Sequence, residues 1–229
     1  MPLFLLQKKR CYDKIELYIY GDDDMIAIID YGAGNLQSVN KALRHIGCDC
    51  VVTRDRDVIL KADGAVLPGV GSFGDTVDTL NKYGIGDTAV NYIKSGKPFF
   101  GICLGLQLLF PESEESPGAD GLGIFEGSIT RIPAADGLKI PHMGWNSLDI
   151  KKHGRLFKGI EGSPYVYFVH SYFLNAADKQ IVAAQTEYGV TIDAAIECGN
   201  VFATQFHPEK SGDVGLQILK NFADIVEGK

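Results

Sequence analysis

The sequence predicts an α/β fold: a central, mostly parallel sheet flanked by helices, with an additional antiparallel strand region in the C-terminal half. Three observations carry this. Short apolar, β-branched runs alternate with helical periodicity through the first hundred residues. A glycine-framed thiol, "GICLG", stands where one such run meets a helical pattern. After about residue 120 the texture changes to closely spaced strand-like segments.

Residues 1–24, "MPLFLLQKKRCYDKIELYIYGDDD", read differently from the rest. The apolar opening is short, is broken by "QKKR", and lacks the small-residue cleavage site of a signal peptide. "KIELYIY" alternates enough for a strand, but the working domain is expected to span 25–229, with 1–24 as an N-terminal extension. "MIAIID" then reads as a strand buried on both faces. "YGAGN" is a turn, and Leu36, Val39, Leu43 and Ile46 recur at helical steps. "CVVT" and "GAVLP" are further strands, and "GVGSFGD" at 69–75 is a glycine-rich loop. One helical stretch leads to Gly96, and "KPFFGIC" is another buried strand ending at the thiol. "IFEGSITRIP", "YVYFVHSYFL", "IVAAQTEY", "IDAAIECG" and "VFATQFH" supply the later strands, and "GLQILKNFADIV" closes the chain as an amphipathic helix.

Composition narrows the function. With 22 basic and 29 acidic residues the net charge is −7, and no clustered basic face suggests nucleic acid. No apolar run approaches the roughly 18 residues of a membrane span. Five cysteines, odd in number and without metal-ligand spacing, fit a reducing, cytoplasmic setting.

Strand–Gly101–Ile–Cys103–Leu–Gly105–helix has the form of a nucleophile elbow. Side chains at 101 and 105 would collide in so tight a turn, and the turn holds Cys103 in a strained position at the carboxyl edge of the sheet. The helix opening at Leu104 places a positive dipole end beside the sulfur, which favours thiolate. The competing reading is a small buried hydrophobe. "VFATQFHPEKS", about a hundred residues later, ends a strand at His207, with Glu209 close enough to orient the imidazole. That is a nucleophile, a base near working pH, and an orienting carboxylate. The Leu104 N–H is one oxyanion donor. "PGVGSF", with Gly69, Val70 and Gly71, offers another or is an ordinary β–α turn.

Together "GICLGLQLLF" and "QFHPEKS" resemble the class I (triad) glutamine amidotransferases, and the implied fold is theirs. "DYGAGN", "PGVGSF", "KIPHMGWN" and "YFVHSY" are similar to the branch made of glutaminase subunits of imidazole glycerol phosphate synthase, which serve histidine biosynthesis. The resemblance covers roughly residues 25–227. It implies that Cys103 attacks the side-chain amide of glutamine, that His207 moves protons, and that Glu209 orients His207. It further implies Gln107 and Glu115 at the amino-acid end of glutamine, and the backbone of His170, Ser171 and Tyr172 completing the pocket. Gly69, Val70 and Gly71 would form the oxyanion strand. Asn35, Trp145 and Tyr167 would face a partner, the cyclase subunit, in a heterodimer. No cofactor and no metal is implied.

Other features read as bland. "YGAGNL" has Gln37 where a dinucleotide fingerprint needs its third glycine. His142 fits an interface or structural role, and His45, His153 and "KKHGR" fit the surface. The alternatives are a glutaminase for another synthase, a γ-glutamyl or cysteine peptidase using Cys–His–Glu, and a binding protein on the same scaffold.

Overall fold

The computed structural model describes residues 24–32 and 35–229. The expected N-terminal extension, its "KIELYIY" strand and part of the "YGAGN" turn lie outside them. The first half alternates as expected: β1 (Met25–Ile29), α1 (Leu36–His45), β2 (Asp49–Thr53), α2 (Arg56–Lys61), β3 (Gly64–Gly69), α3 (Phe73–Tyr83), α4 (Ile85–Lys94), β4 (Phe99–Cys103) and α5 (Leu104–Gln107). The second half holds β5 (Glu112–Ser113), β6 (Gly127–Arg131), β7 (His142–Ser147), β8 (Asp149–Ile150), β9 (Tyr165–His170), β10 (Tyr172–Ala176), β11 (Val182–Glu187), β12 (Thr191–Cys198), β13 (Val201–Thr204) and α6 (Gly212–Val226).

One eight-stranded sheet runs in the order β2-β1-β3-β4-β13-β12-β11-β8. Its first five strands pair parallel, while β12, β11 and β8 join antiparallel. The apolar runs follow from burial on both faces. Ala27 and Ile29 pack with Ile59, Val77, Leu80 and Ala89 of α2–α4. Ile26 and Ile28 face Val39 and Leu43 of α1 and Ile218, Leu219 and Phe222 of α6. Smaller sheets, β10-β6-β5 and β7-β9, lie outside this sandwich.

The differences from the sequence reading have local causes. The single helix expected before Gly96 is two, because Gly84 adopts φ 65° and closes α3 before α4 begins. "GVGSFGD" is not all loop: Gly69 ends β3, and Ser72 caps α3 by accepting from Asp75 N–H. "YVYFVHSYFL" breaks at Ser171 into β9 and β10, which join different sheets. Strand β7 was not expected, since "HMGWNS" lacks a β-branched run. It forms by pairing with β9, His142 opposite His170 and Trp145 opposite Tyr167.

Candidate active site

Parallel pairing sets Gly69 opposite Cys103 and Thr204 opposite Ile102. The carboxyl ends of β3, β4 and β13 therefore share one edge, where open α/β sheets place their ligands. Cys103 has φ 55°, the only positive value outside glycine among the described residues. The elbow depends on missing side chains. A Cβ at Gly105 would lie 1.9 Å from the Leu67 carbonyl oxygen, and one at Gly101 would lie 2.6 Å from that of Gly105. Gly69 is under the same pressure, with a Cβ there 2.6 Å from that of Leu104. The helix after the thiol is one turn, so its dipole is small, and Pro111 stops the apolar run from continuing as helix.

His207 follows β13, and its Nδ1 is 2.8 Å from Glu209 Oε1, with both side chains buried. Its Nε2 has no partner among the described residues. Burial works against the imidazolium, but Cys103 and Glu209 outweigh it and lift the pKa of His207 to about 10. Glu209 Oε1 also accepts from Asn35 Nδ2 at 3.2 Å. Asn35 thus touches the carboxylate paired with His207, a contact the expected interface role does not include.

A cavity of about 350 Å³ opens beside the sulfur. Cys103, Leu104, His207, Val70 and Gly71 line it, as do Gln107, Glu115, His170, Ser171 and Tyr172. Gly69 does not; it packs beneath, against Leu104. Glu115 accepts from Phe73 N–H at 2.8 Å at the start of α3, which ties the 111–119 loop to the cavity rim. Trp145 is 56% exposed and meets half-buried Tyr167 edge to face at 6.3 Å, while Met143 and Tyr165 are also exposed. These four side chains form an apolar patch on β7 and β9.

The description "Glutamine amidotransferase class-I" matches residues 27–226. The chain belongs to this family. This amidotransferase is 51% identical over 203 residues to "Imidazole glycerol phosphate synthase subunit HisH" of Caldanaerobacter subterraneus subsp. tengcongensis, covering 89% of this chain and 99% of the relative. The relative of the same name from Methanothermobacter thermautotrophicus is 52% identical over 202 residues, covering 88% and 99%. A crystal structure titled glutamine amidotransferase superimposes with TM-score 0.70 at 21% identity over 89% of this chain and 99% of that one, which shows the fold.

Several groups around the amidotransferase cavity escaped the sequence reading. Gln205 Nε2 points at Cys103 Sγ from 3.6 Å, and Gln205 Oε1 accepts from Gln107 Nε2 at 3.1 Å. Gln205 stands just past the end of β13, two residues before His207, and its partners Cys103 and Gln107 lie about a hundred residues earlier in the chain. His142 is buried and structural. Its Nδ1 is 3.0 Å from His170 Nε2, and His170 Nδ1 is 2.9 Å from the Tyr172 carbonyl. That carbonyl accepts, so His170 carries its proton on Nδ1 and His142 donates to the bare Nε2. Burial drives both histidines down, His142 to about 4 and His170 to about 3. His45 and His153 are exposed. Among the described residues no group of three His, Cys, Asp or Glu is placed to hold a metal, and no helix is long and apolar enough to cross a membrane.

Proposed function

We propose that this amidotransferase is the glutaminase subunit of an imidazole glycerol phosphate synthase, hydrolysing glutamine and passing ammonia to a cyclase subunit in histidine biosynthesis. The observation that carries the reading is the buried His207–Glu209 pair beside Cys103 at a cavity of amino-acid size. Its relatives of that name match across nearly their whole length.

In the proposed mechanism Cys103 Sγ attacks the side-chain amide carbon of glutamine. The oxyanion is held by the Leu104 N–H and by a donor from Gly69–Val70–Gly71. His207 Nε2 gives a proton to the leaving nitrogen, which departs as ammonia, and a γ-glutamyl thioester remains. His207 then takes a proton from water, which attacks the thioester and frees glutamate and the thiol. Glu209 keeps the imidazole oriented throughout. At the other end, Gln107 spends both Nε2 hydrogens on Tyr172 O and Gln205 Oε1. What it offers the cavity is the acceptor Oε1. Together with the Glu115 carboxylate this suits the α-ammonium of an amino acid, while His170, Ser171 and Tyr172 wall the cavity.

The Asn35, Trp145 and Tyr167 face receives the cyclase. Residues 25–229 act as one amidotransferase domain with 1–24 as an extension, and the setting is cytoplasmic. The glycines around Val70 let a peptide rotate at low steric cost, so partner and acceptor binding shift the loop from an orientation without an oxyanion donor to one with it. The test is glutaminase activity with and without a cyclase subunit and its ribonucleotide ligand. Stimulation by about a hundredfold or more is expected on the value of one oxyanion donor. Full turnover by the purified chain alone rules out the loop shift, and no glutamine hydrolysis in either state rules out the glutaminase.

A further inference from the structure

Gln205 is fully buried. Its backbone N–H donates to the Ala194 carbonyl at 2.8 Å, which fixes it to β12 beyond the end of β13. Its side chain lies between Cys103 and Gln107, two residues that line the same cavity. The direction of both side-chain amides follows from one backbone group. The Tyr172 carbonyl can only accept, so the atom of Gln107 that lies 3.0 Å from it is the nitrogen. That nitrogen is 3.1 Å from the Gln205 amide, which must meet it with oxygen, because two amide nitrogens cannot share a hydrogen bond. The Gln205 Nε2 is left facing Cys103 Sγ at 3.6 Å. The fixed point is itself held, since the Tyr172 carbonyl also accepts from His170 Nδ1 at 2.9 Å.

This arrangement does more than satisfy a buried amide. An apolar side chain of the same length would fill the space without the cost of burying polar atoms. Cys103 and Gln107 are joined by α5, which is a single turn. So short a helix holds its shape poorly by itself. The distance between the sulfur and the Gln107 amide therefore depends on a contact from outside the turn, and Gln205 supplies it from the neighbouring strand. An N–H beside the sulfur also favours negative charge there, because a donor gains more from a thiolate than from a thiol.

We propose that Gln205 is a positioning residue that braces the two ends of the glutamine site against each other. Its N–H holds the sulfur of Cys103 ready for attack. Its Oε1 holds the Gln107 amide so that the Gln107 oxygen faces the α-ammonium of the substrate. The inference rests on the glutaminase reading given above.

The experiment compares the parent chain with Gln205→Met and Gln205→Glu, each in complex with a cyclase subunit and its ribonucleotide ligand. Methionine keeps the length and removes both polar contacts. Glutamate keeps an oxygen for Gln107 and removes the donor to the sulfur. The readouts are KM for glutamine and the rate at which iodoacetamide alkylates Cys103 at neutral pH, followed by mass spectrometry of the Cys103 peptide. Loss of a net hydrogen bond at each end predicts that Gln205→Met raises KM and slows alkylation, each by about threefold to tenfold. Gln205→Glu should slow alkylation as much while KM stays at the parent value. Unaltered KM and alkylation in Gln205→Met overturn the proposal. So does an equal rise of KM in both variants with alkylation unchanged, because a packing defect then explains it. If Gln205→Met does not fold, Gln205→Glu decides, and alkylation at the parent rate overturns the brace. Absence of glutamine hydrolysis in the parent complex instead removes the functional reading, while the alkylation rates still test the contact with the sulfur.

Discussion

At the scale of single residues the site divides labour by position. Cys103 is held by its backbone at φ 55°, whereas His207 is held by a carboxylate 2.8 Å away. Cys103→Ser should therefore abolish glutamine hydrolysis with no loss of folding, as activity and circular dichroism on one preparation will check. Ammonia supplied as a salt at high pH should restore product formation by the variant complex, since the second reaction belongs to the cyclase. His207→Asn should be as inactive, because it removes the proton carrier of both half-reactions. Glu209→Gln should keep measurable kcat/KM, since Asn35 still reaches position 209 and the orienting contact is weakened, not deleted. Equal kcat/KM for the His207 and Glu209 variants would contradict an orienting role. These three residues were legible in the sequence because their motifs are contiguous. The Gln205–Cys103, Asn35–Glu209 and His142–His170 contacts were not, because the partners are distant in sequence and meet only in the fold.

At the scale of elements, glycines separate packing from freedom. At Gly105 a methyl group would meet the Leu67 carbonyl oxygen at 1.9 Å, and backbone cannot retreat as a flexible side chain does. Gly105→Ala should lower unfolding free energy by about 3 kcal/mol, the upper part of the overpacking range, in a denaturant titration. At Gly71 nothing lies within 4 Å, but φ is 111°. Gly71→Val should leave alkylation of Cys103 by iodoacetamide largely intact and damp stimulation by the partner. The β7–β9 ribbon carries a different signature. Its two histidines are held neutral, with pKa values below those of the unfolded chain, so the unfolded state binds more protons between about pH 6.5 and 4. The contribution of these two histidines to stability is full above pH 6.5 and declines as pH falls through that window, by at most about 1.4 kcal/mol per unit for each histidine. Melting temperatures from pH 6.5 to 5 should show this slope, and His142→Gln should roughly halve it. Strand β7 was invisible in the sequence for the reason that makes it useful: it exposes Met143 and Trp145 and pairs only through β9.

At the scale of the whole molecule, catalytic edge and apolar patch are joined by short backbone links. The His207 N–H donates to the Tyr167 carbonyl at 3.0 Å, and the Tyr167 N–H donates to Ser211 Oγ at 3.0 Å. A partner seated on the patch, as proposed above, would therefore touch the strand whose Tyr167 holds the His207 backbone. Trp145→Ala should weaken association with the cyclase by about thirtyfold or more, the usual loss at an aromatic anchor, without altering the melting temperature of the isolated chain. Titrating stimulation against cyclase concentration measures it. The alternating half of the fold was legible because burial on both faces writes itself as apolar runs. Of the ribbon and the three-stranded sheet, β6, β9 and β10 fall in segments expected as strands, whereas β5 and β7 were not legible, because β5 is two residues long and "HMGWNS" lacks a β-branched run.

The order of strands in the large sheet also bears on how the protein is made. Strand β13, which leads to His207, is synthesised after every other strand of this sheet, yet it lies inside it between β4 and β12. It must enter a slot whose parallel wall was translated about a hundred residues earlier. Closing a loop of that length carries an entropy cost on the order of 4 kcal/mol, which the contacts of β13 and α6 must offset together. Until then the ribosome holds a chain with its thiol strand complete and its base missing. Such a nascent chain cannot hydrolyse glutamine, so ammonia release waits for the finished sheet.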